Sequence, residues 1–505
     1  MKIFTNDQIR SIERFTIENE GVSSLELIER AASAITFEIM GRWRPNKKIW
    51  VFAGPGNNGA DALAVSRLLV EQGYNVESIL FNVFNKLSEG CMASKKRLAE
   101  MSGTVFTEVN KEFLPPAIEP GDIVVDGLFG SGLREPLNGG FRSLVDYINN
   151  SQATIVSIDV PSGLFAEWNE ENLNRNIVHA HLTLAIQFPR VAFFIPDNAE
   201  FLGEWKVLDI EMSAREIKNL QSRYFLLEKN DASRILKPRG EFTSKSDYGS
   251  ACIIAGSYGM LGAAQLATKG ALRAGVGKAT VYTPRCGYSV MQTAVPEAMV
   301  QVDHNDGGIT DIKLKHEYDA IGIGPGIGIH DLTIRAVESF IRGYSGPLVI
   351  DADALNCIAQ RHTILEDLKP MSILTPHAGE FDRLFGDHNS HEARIKTAIE
   401  KAEYYGIIIL LKGKYTTIVR PDGRLLFSGS GTPALATPGS GDVLTGIITG
   451  LLAQGYAPDL AAALGAYIHG YAGQLAAEKI SEYSVLASDV ADNIGVAIRN
   501  IMENQ

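Results

Sequence analysis

The sequence contains the same pattern of elements twice, and this repeat constrains the fold more than any other feature. In "KKIWVFAGPGNNGADALAVSRLLVEQGYNVESILF" and again in "YGSACIIAGSYGMLGAAQLATKGALRAGVGKATVYT", an apolar run leads into a glycine loop, a helical pattern and a second apolar run. Continuous apolar strands joined by helices are typical of parallel sheets that are covered by helices on both faces. The sequence therefore predicts an α/β protein with two three-layer α/β/α domains.

Further apolar runs, each ending in polar residues, follow both copies of this pattern. The first half contains "GDIVVDGLFGSG" and "ATIVSIDVPSG", and the second contains "YDAIGIGPGIG", "GPLVIDADAL" and "MSILTPHAGE". A polar connector over about residues 211–239 separates the halves, so we predict one domain over 1–214 and another over 215–505. A helical pattern over residues 7–40 precedes the first strand, and "PDG" at 421–423 predicts the turn of a hairpin.

The charge and composition argue against several classes of function. The net charge is −12 and the lysines and arginines are spread out, so we expect neither nucleic acid nor a membrane as a partner. No uninterrupted apolar run reaches about 18 residues, and the first residues lack the apolar core of a signal peptide. Four cysteines lie far apart without metal-ligand spacing, which favours reduced thiols and a cytoplasmic location: Cys91, Cys252, Cys286 and Cys357.

The segment "TPGSGDVLTG" (437–446) places glycines and one carboxylate before an apolar helix. The free N–H groups and the dipole of a helix start bind anions, and glycine lets a phosphate approach the backbone. Asp442 therefore has two interpretations, an N-cap of the helix or a general base for an acceptor hydroxyl. The local sequence leaves both open.

Other loops of the second half should lie at the same edge of the sheet, because ligands bind at the carboxyl ends of parallel strands. Lys412 and Lys414 in "LLKGKYT" form either a solvated turn or a clamp for nucleotide phosphates. His377 in "TPHAGEF" is either structural or catalytic. The carboxylates of "DADAL" (351–355) either cap a helix or help to hold a hydrated metal.

The glycine loop of the first half, "GPGNNGAD" (54–61), fits neither the G-x-G-x-x-G nor the Walker A pattern. It is either a tight turn with an N-cap or a dense set of oxygen acceptors and amide donors. Asp126 and Asp159 end two other strands, and Ser162 follows closely. Oxygen ligands from several strand ends suit a hard cation, and so few carboxylates make a monovalent one plausible. A catalytic carboxylate would fit beside such a cation.

Seven motifs of the second half occur in order over about residues 225–500. They are "AGSYGMLGAAQLA", "QTAVPEAM", "IGPGIG", "DADAL", "TPHAGEF", "LKGKYT" and "TPGSGDVLTG". This half resembles the NAD(P)H-hydrate dehydratase branch of the ribokinase-like superfamily. The resemblance implies a ribokinase-like sheet, ADP or ATP as co-substrate, and Asp442 as the catalytic base. Phosphoryl transfer from such a nucleotide predicts Mg²⁺. The resemblance also implies contacts with the hydrated nicotinamide nucleotide at Ala263, Gly326, His377 and Asp442, and with ADP or ATP at Lys412, Gly413, Lys414, Tyr415, Thr416 and Gly441.

The first half, over about residues 1–212, resembles the NAD(P)H-hydrate epimerase family, also called the YjeF N-terminal domain. The matching runs are "ELIERAA", "GPGNNGAD", "VVDGLFGSGLREP" and "IDVPSG", with Ala60 where glycine is usual. The resemblance implies a Rossmann-like sheet and potassium bound by Asn58, Asp126 and Ser162. Epimerisation needs an acid and a base near the inverted carbon, and Asp159 is the candidate for this catalytic role. The resemblance also implies substrate contacts at Asn57, Asn58, Gly59, Ala60, Asp61, Gly130, Ser131, Gly132, Leu133, Arg134, Glu135, Pro136 and Asp159.

Together the two resemblances imply a bifunctional enzyme that repairs hydrated nicotinamide cofactors. The first half would interconvert the R and S hydrates, and the second would dehydrate the S form with ADP or ATP, ADP being the expected donor. Small molecules would be its partners, and the family suggests a homo-oligomer. Two alternatives are a ribokinase-like kinase of vitamin precursors with a fused ligand-binding domain, and a non-catalytic nucleotide sensor.

Overall fold

The computed structural model describes residues 1–172 and 175–503. The chain opens with a two-residue strand, β1 (Lys2–Ile3), and then divides into two compact units. The N-terminal unit comprises Ile3–Ser222, and the C-terminal unit comprises Met1–Lys2 together with Arg223–Gln505. The amino group of Met1 donates a hydrogen bond of 2.7 Å to the carbonyl oxygen of Leu226 within the C-terminal unit.

The N-terminal unit is built on a sheet with seven parallel strands in the described part of the chain. Its strand order is β4-β3-β2-β5-β6-β7-β8, so the chain reverses its direction of winding between β2 and β5. The strands are β2 (Lys48–Ala53), β3 (Asn75–Phe81), β4 (Val105–Val109), β5 (Ile123–Gly127), β6 (Thr154–Ile158), β7 (Leu182–Ile186) and β8 (Glu204–Leu208).

Helices cover both faces of this sheet, with Leu63 in the core on one side and Leu144 in the core on the other. They are α1 (Asn6–Glu20), α2 (Ser24–Arg42), α3 (Asn57–Glu71), α4 (Glu89–Ala99), α5 (Gly139–Asn149), α6 (Ala199–Leu202) and α7 (Ala214–Asn219). The helical pattern predicted over 7–40 is two helices, because Gly21 ends α1 in the left-handed conformation. The unit continues past residue 214 because Ile217 of α7 packs against Phe4 and Ile12.

The C-terminal unit contains a sheet with eleven strands among the described residues, in the order β1-β9-β18-β17-β16-β15-β14-β13-β10-β11-β12. Its central pairs are parallel, and β17 is antiparallel to both of its neighbours. The pair of β17 and β18 is the hairpin predicted at "PDG". The strands are β9 (Tyr224–Leu227), β10 (Ser250–Ile254), β11 (Lys278–Thr283), β12 (Met299–Val302), β13 (Ala320–Ile323), β14 (Leu348–Ile350), β15 (Ile373–Leu374), β16 (Ile408–Leu411), β17 (Thr417–Val419) and β18 (Leu425–Ser428). The predicted α/β class is therefore confirmed in both units.

Close packing of two helices fixes the position of the glycine-rich segment of this unit. The helices are α8 (Lys229–Ile235), α9 (Leu261–Arg273), α10 (Gly287–Ala294), α11 (Asp331–Gly343), α12 (Ala352–Gln360), α13 (Ala378–Phe385), α14 (His391–Tyr405), α15 (Ser440–Ala453), α16 (Pro458–Lys479) and α17 (Ala487–Met502). A Cβ atom at Gly446 of α15 would overlap with the carbonyl oxygen of Ala267 in α9, so only glycine allows the two backbones to meet. No helix in the described ranges is long and apolar enough to cross a membrane.

Candidate active sites

The glycine loop after β2 is folded tightly against the loop after β5. A Cβ atom at Gly54 would overlap with the carbonyl oxygen of Leu128, and one at Gly59 would overlap with that of Gly54. Helix α3 starts at Asn57 within this loop, so the two asparagines and Asp61 belong to its first turns. The glycines therefore position amide and carboxyl groups at the carboxyl ends of the central strands, where α/β proteins bind ligands.

Asp126, at the end of β5, is fully buried and accepts hydrogen bonds from several donors. The hydroxyl of Ser162 donates at 2.5 Å, its backbone N–H at 2.8 Å, and the hydroxyl of Ser157 at 2.8 Å. Burial raises the pKa of Asp126, and these hydrogen bonds act in the opposite direction. The Ser162 hydroxyl also lies 3.1 Å from the carbonyl oxygen of Phe129, so oxygen atoms from two neighbouring strands and the loops that follow them meet here.

Asn58 lies beside this cluster. Its Nδ2 atom is buried and has no hydrogen-bond partner among the residues that the structure describes. A Cβ atom at Gly130 would lie 3.1 Å from Oδ1 of Asn58 and 3.1 Å from Oδ2 of Asp159, which shows how closely these groups approach. The amide oxygen, the Asp126 carboxylate and the Ser162 hydroxyl are hard oxygen donors with a single negative charge, and this set fits a monovalent cation. Within residues 1–172 and 175–503, no group of three or more His, Cys, Asp or Glu side chains could hold a metal.

Asp159 lines a small cavity of about 120 Å³. Its backbone has φ of 65°, a strained conformation for a residue other than glycine. Its carboxylate accepts a 3.0 Å hydrogen bond from the N–H of Ser131 and a 2.5 Å bond from Nη2 of Arg190. The cavity is lined by Ile9, Glu13, Ser24, Leu27, Ile28, Ala31, Asn57, Asp61, Ser131, Asp159, Ile186, Arg190, Ile210 and Met212.

Asp61 shares this cavity with Asp159 but lies in different surroundings. Burial, followed by the negative charges of Asp159 and Glu13, raises the pKa of Asp61 well above its usual value. Asp159 instead forms a buried ion pair with Arg190. One cavity thus holds a carboxyl group whose pKa is raised and a second carboxyl group that is paired with a cation, and such different environments suit an acid and a base.

Several predicted contacts of the first half lie elsewhere. The methyl group of Ala60 is in the hydrophobic core, and its N–H donates to the carbonyl oxygen of Gly56, so this residue does not line the cavity. Arg134 pairs with Asp7 at 3.0 Å on the surface. Of the predicted loop 130–136, only Ser131 lines the cavity, and these residues do not: Gly130, Gly132, Leu133, Arg134, Glu135 and Pro136.

Sequence reasoning missed Glu13 and Arg190 in the N-terminal unit. Arg190 follows the carboxyl end of β7, and the rule that ligands bind at such ends could have drawn attention to it. Glu13 lies in the middle of α1, where the sequence gives no sign of a site.

In the C-terminal unit, most of the predicted residues surround one cavity of about 940 Å³. The predicted residues that line it are His377, Lys412, Gly413, Lys414, Thr416, Gly441 and Asp442. Tyr415 does not line it, although its ring lies 5.3 Å from Nζ of Lys414. Ala263 and Gly326 are also outside the lining, and a Cβ atom at Gly326 would lie 3.0 Å from that of Ala263.

Asp442 occupies the first turn of α15 but does not cap it. The N-cap is Gly439, with φ of 87°, and no side chain makes a cap hydrogen bond to this helix. Burial raises the pKa of Asp442 to about 7; the neighbouring charge of Asp351 adds to this rise and that of Lys412 opposes it. A carboxyl group with a pKa near neutrality, at a helix start that attracts anions, is suited to act as a general base.

Lys412 is held by two carboxylates in the described structure. Its Nζ atom lies 2.8 Å from Oδ1 of Asp351 and 3.7 Å from Oε2 of Glu380. Burial opposes its charge, but these carboxylates raise the pKa of Lys412 above its usual value, so it stays protonated. The hydroxyl of Thr445 donates to the other oxygen of Asp351 at 2.6 Å. Asp351 therefore joins the lysine loop to helix α15.

Two histidines complete the cavity. Nδ1 of His377 accepts hydrogen bonds from the N–H groups of Gly379 and Glu380, so it caps α13 and a neutral ring carries its proton on Nε2. His469 of α16 was missed by sequence reasoning. The side chain of His469 is buried, and its Nε2 atom lies 3.0 Å from the hydroxyl oxygen of Ser440. Burial lowers the pKa of His469 to about 4, which keeps the ring neutral.

The fold and the two cavities define an α/β enzyme with two separate sites for small molecules. A family model described as NAD(P)H-hydrate dehydratase matches residues 251–495, and one described as YjeF-related protein N-terminus matches residues 24–192. The chain belongs to the family of bifunctional NAD(P)H-hydrate repair enzymes, with an epimerase-type N-terminal half and a dehydratase C-terminal half.

Relatives named bifunctional NAD(P)H-hydrate repair enzyme match the chain along its whole length. The protein of Thermofilum pendens is 30% identical over 100% of this chain and 97% of its own. That of Coxiella burnetii is 32% identical over 98% and 99%, and that of Escherichia coli is 30% identical over 96% and 91%. A solved ADP/ATP-dependent NAD(P)H-hydrate dehydratase from Bacillus subtilis, co-crystallized with ATP/Mg²⁺, is 32% identical over 55% of this chain and 98% of its own, with a TM-score of 0.49. These full-length matches cover both halves of the chain and favour the repair enzyme over a kinase with a fused ligand-binding domain.

Proposed function

We propose that this chain restores hydrated NADH and NADPH through two consecutive reactions. The N-terminal unit interconverts the R and S hydrates, and the C-terminal unit converts the S hydrate to the reduced cofactor with ADP or ATP. ADP is the expected donor and yields AMP and phosphate. The observation that carries the proposal is Asp442, whose pKa of about 7 makes it a base at the start of α15, beside a cavity large enough for a nucleotide.

In the C-terminal unit, the hydroxyl on the carbon beside the ring nitrogen is a poor leaving group. Asp442 takes its proton while the oxygen attacks the terminal phosphorus of the nucleotide, and the N–H groups at Gly441 and its neighbours stabilise the transferring charge. The carbon–oxygen bond then breaks with assistance from the nitrogen lone pair, and phosphate leaves. Loss of a proton from the adjacent ring carbon gives the reduced cofactor. Lys412, Gly413, Lys414, Tyr415 and Thr416 would hold the nucleotide.

In the N-terminal unit, the two carboxyl groups of the small cavity would act as an acid and a base. Neutral Asp61 protonates the departing hydroxyl, and the ring nitrogen stabilises the cation that remains. Asp159 takes a proton from the water that adds to the opposite face of the ring. The configuration of the carbon is thereby inverted without a net change in composition.

The proposal includes two metal ions, K⁺ in the N-terminal unit and Mg²⁺ in the C-terminal unit. Asn58, Asp126 and Ser162 would hold K⁺, which supplies a positive charge that favours anionic groups of the substrate beside it. The carboxylate of Asp351 already binds Lys412 and Thr445, so Mg²⁺ would arrive with the phosphates and keep several waters. We also infer a cytoplasmic homo-oligomer; the cysteines, which are free thiols in the described residues, are consistent with that location.

A coupled assay tests the proposal. A mixture of R and S hydrates is incubated with ADP or ATP, with potassium or with choline in its place, and reduced nicotinamide absorbance and phosphate are measured. We expect the wild type in potassium to convert the whole mixture to the reduced cofactor. Asp159→Asn should convert only the S hydrate, and Asp442→Asn should convert neither the R nor the S hydrate. Accumulation of a phosphorylated hydrate without restored absorbance would instead indicate a kinase, and no turnover in the wild type would indicate a nucleotide sensor.

A further inference from the structure

Arg190 has more hydrogen-bonding capacity than the N-terminal unit uses. The side chain is 3% exposed, and its Nη2 atom donates to Oδ1 of Asp159 at 2.5 Å and to the carbonyl oxygen of Ile186 at 3.4 Å. Its Nε and Nη1 atoms are also buried, and neither has a partner in the described ranges. Buried N–H groups are rarely left unpaired because this costs free energy, so two such groups in one guanidinium point to a missing acceptor.

The space beside Arg190 is the size of a single ring. The cavity that it lines with Asp159 has a volume of about 120 Å³ and apolar walls that include Ile28 and Ile186. An apolar cavity of about 150 Å³ is known to accept benzene, so one six-membered ring fills this space and a dinucleotide does not.

The charges in the cavity select the chemistry of the missing acceptor. Glu13 and Asp159 line the space together with Asp61, and the negative charges of Glu13 and Asp159 would repel a phosphate group. A primary amide suits both sides of the cavity, because its oxygen accepts from the guanidinium and its NH₂ group donates to a carboxyl.

We infer that Arg190 is a substrate-binding residue, in which one of the unpaired N–H groups, on Nε or Nη1, donates to the carboxamide oxygen of the hydrated nicotinamide ring while Nη2 holds Asp159. The inference deepens the proposed epimerase function and rests on it. One planar group then fixes both the ring and the carboxylate that acts on it, which is the orientation that an epimerase needs.

The test compares Arg190→Lys with the wild type on two substrates. The first is the hydrate of NADH, and the second is the hydrate of reduced thionicotinamide adenine dinucleotide, in which a sulfur atom replaces the carboxamide oxygen and accepts hydrogen bonds weakly. Lysine keeps a positive charge for Asp159 but lacks the planar set of donors. We expect the substitution to raise the KM of the oxygen substrate by about tenfold or more, and to change that of the sulfur substrate much less. An equal increase for both substrates would overturn the inference, because Arg190 would then act only through Asp159 or the fold.

Control measurements distinguish a loss of substrate binding from a general effect of an Arg→Lys change or of misfolding. Arg142→Lys changes an exposed arginine of α5 in the same unit and should leave both KM values unchanged. Dehydration of the pure S hydrate by Arg190→Lys should equal that of the wild type. If the substitution prevents folding, a crystal of the wild type soaked with nicotinamide decides: an amide oxygen bonded to Nε or Nη1 supports the inference, and any other orientation contradicts it. A wild type that cannot interconvert the hydrates would overturn the proposed function itself.

Discussion

The pH dependence of the dehydratase should report the ionisation of Asp442. A base with a pKa of about 7 is half ionised at neutral pH, about one-tenth ionised one pH unit lower, and nearly fully ionised one unit higher. The group is active when deprotonated, so kcat/KM should rise with pH. We expect it to fall about fivefold between pH 7 and pH 6, whereas an ordinary aspartate would produce no change in this range.

The cause of the raised pKa can be tested at Asp351. Burial is the largest contribution to the shift of Asp442 and the like charge of Asp351 is the next, so Asp351→Asn should lower the midpoint of the profile by about one pH unit. Asparagine can still accept a hydrogen bond from Lys412 or Thr445, which limits the structural change. Asp442→Asn should lower kcat by about 10²-fold to 10⁴-fold and remove the acid limb of the profile.

The assay is initial-rate release of phosphate from the S hydrate and ADP, measured from pH 5.5 to 8.5 at substrate concentrations well below KM. His377→Gln is a useful comparison, because it alters the same cavity without changing the charges that act on Asp442. A flat profile for the wild type, or a midpoint that does not move in Asp351→Asn, would refute the assignment of Asp442 as a base whose pKa is set by burial and by Asp351.

Three further perturbations have defined outcomes. Gly446→Ala should destabilise the C-terminal unit by about 1–3 kcal/mol in urea unfolding, because the new methyl group meets the backbone of α9, whereas Gly495→Ala has open space and should be neutral or slightly stabilising. Replacing potassium by choline should slow epimerisation and leave phosphate release from the S hydrate unchanged; equal loss of both activities would count against a cation site at Asp126. Asp61→Asn should slow epimerisation without abolishing substrate binding. The amide keeps the shape of a neutral carboxyl group but cannot protonate the leaving hydroxyl. An unchanged rate would exclude Asp61 as the acid.

The sequence by itself determined the class of the fold and the edge at which each site would form. Apolar runs that alternate with helices can be buried only as parallel strands between helical layers, so the two α/β units follow from local patterns. The same patterns place Asp126, Asp159 and Asp442 at strand ends or a helix start. Local rules could not decide whether Asp442 caps α15, because aspartate suits both a cap and a base.

Only the tertiary structure decided the electrostatic state of these groups. The pKa of Asp442 depends on burial and on Asp351, which belongs to a distant part of the sequence, and Asp159 meets Arg190 from another strand. Packing also decided that the methyl group of Ala60 lies in the core and that α7 belongs to the N-terminal unit. The physical reason is that desolvation and Coulomb interactions act through space between groups that folding brings together, whereas periodicity and glycine spacing act along the chain.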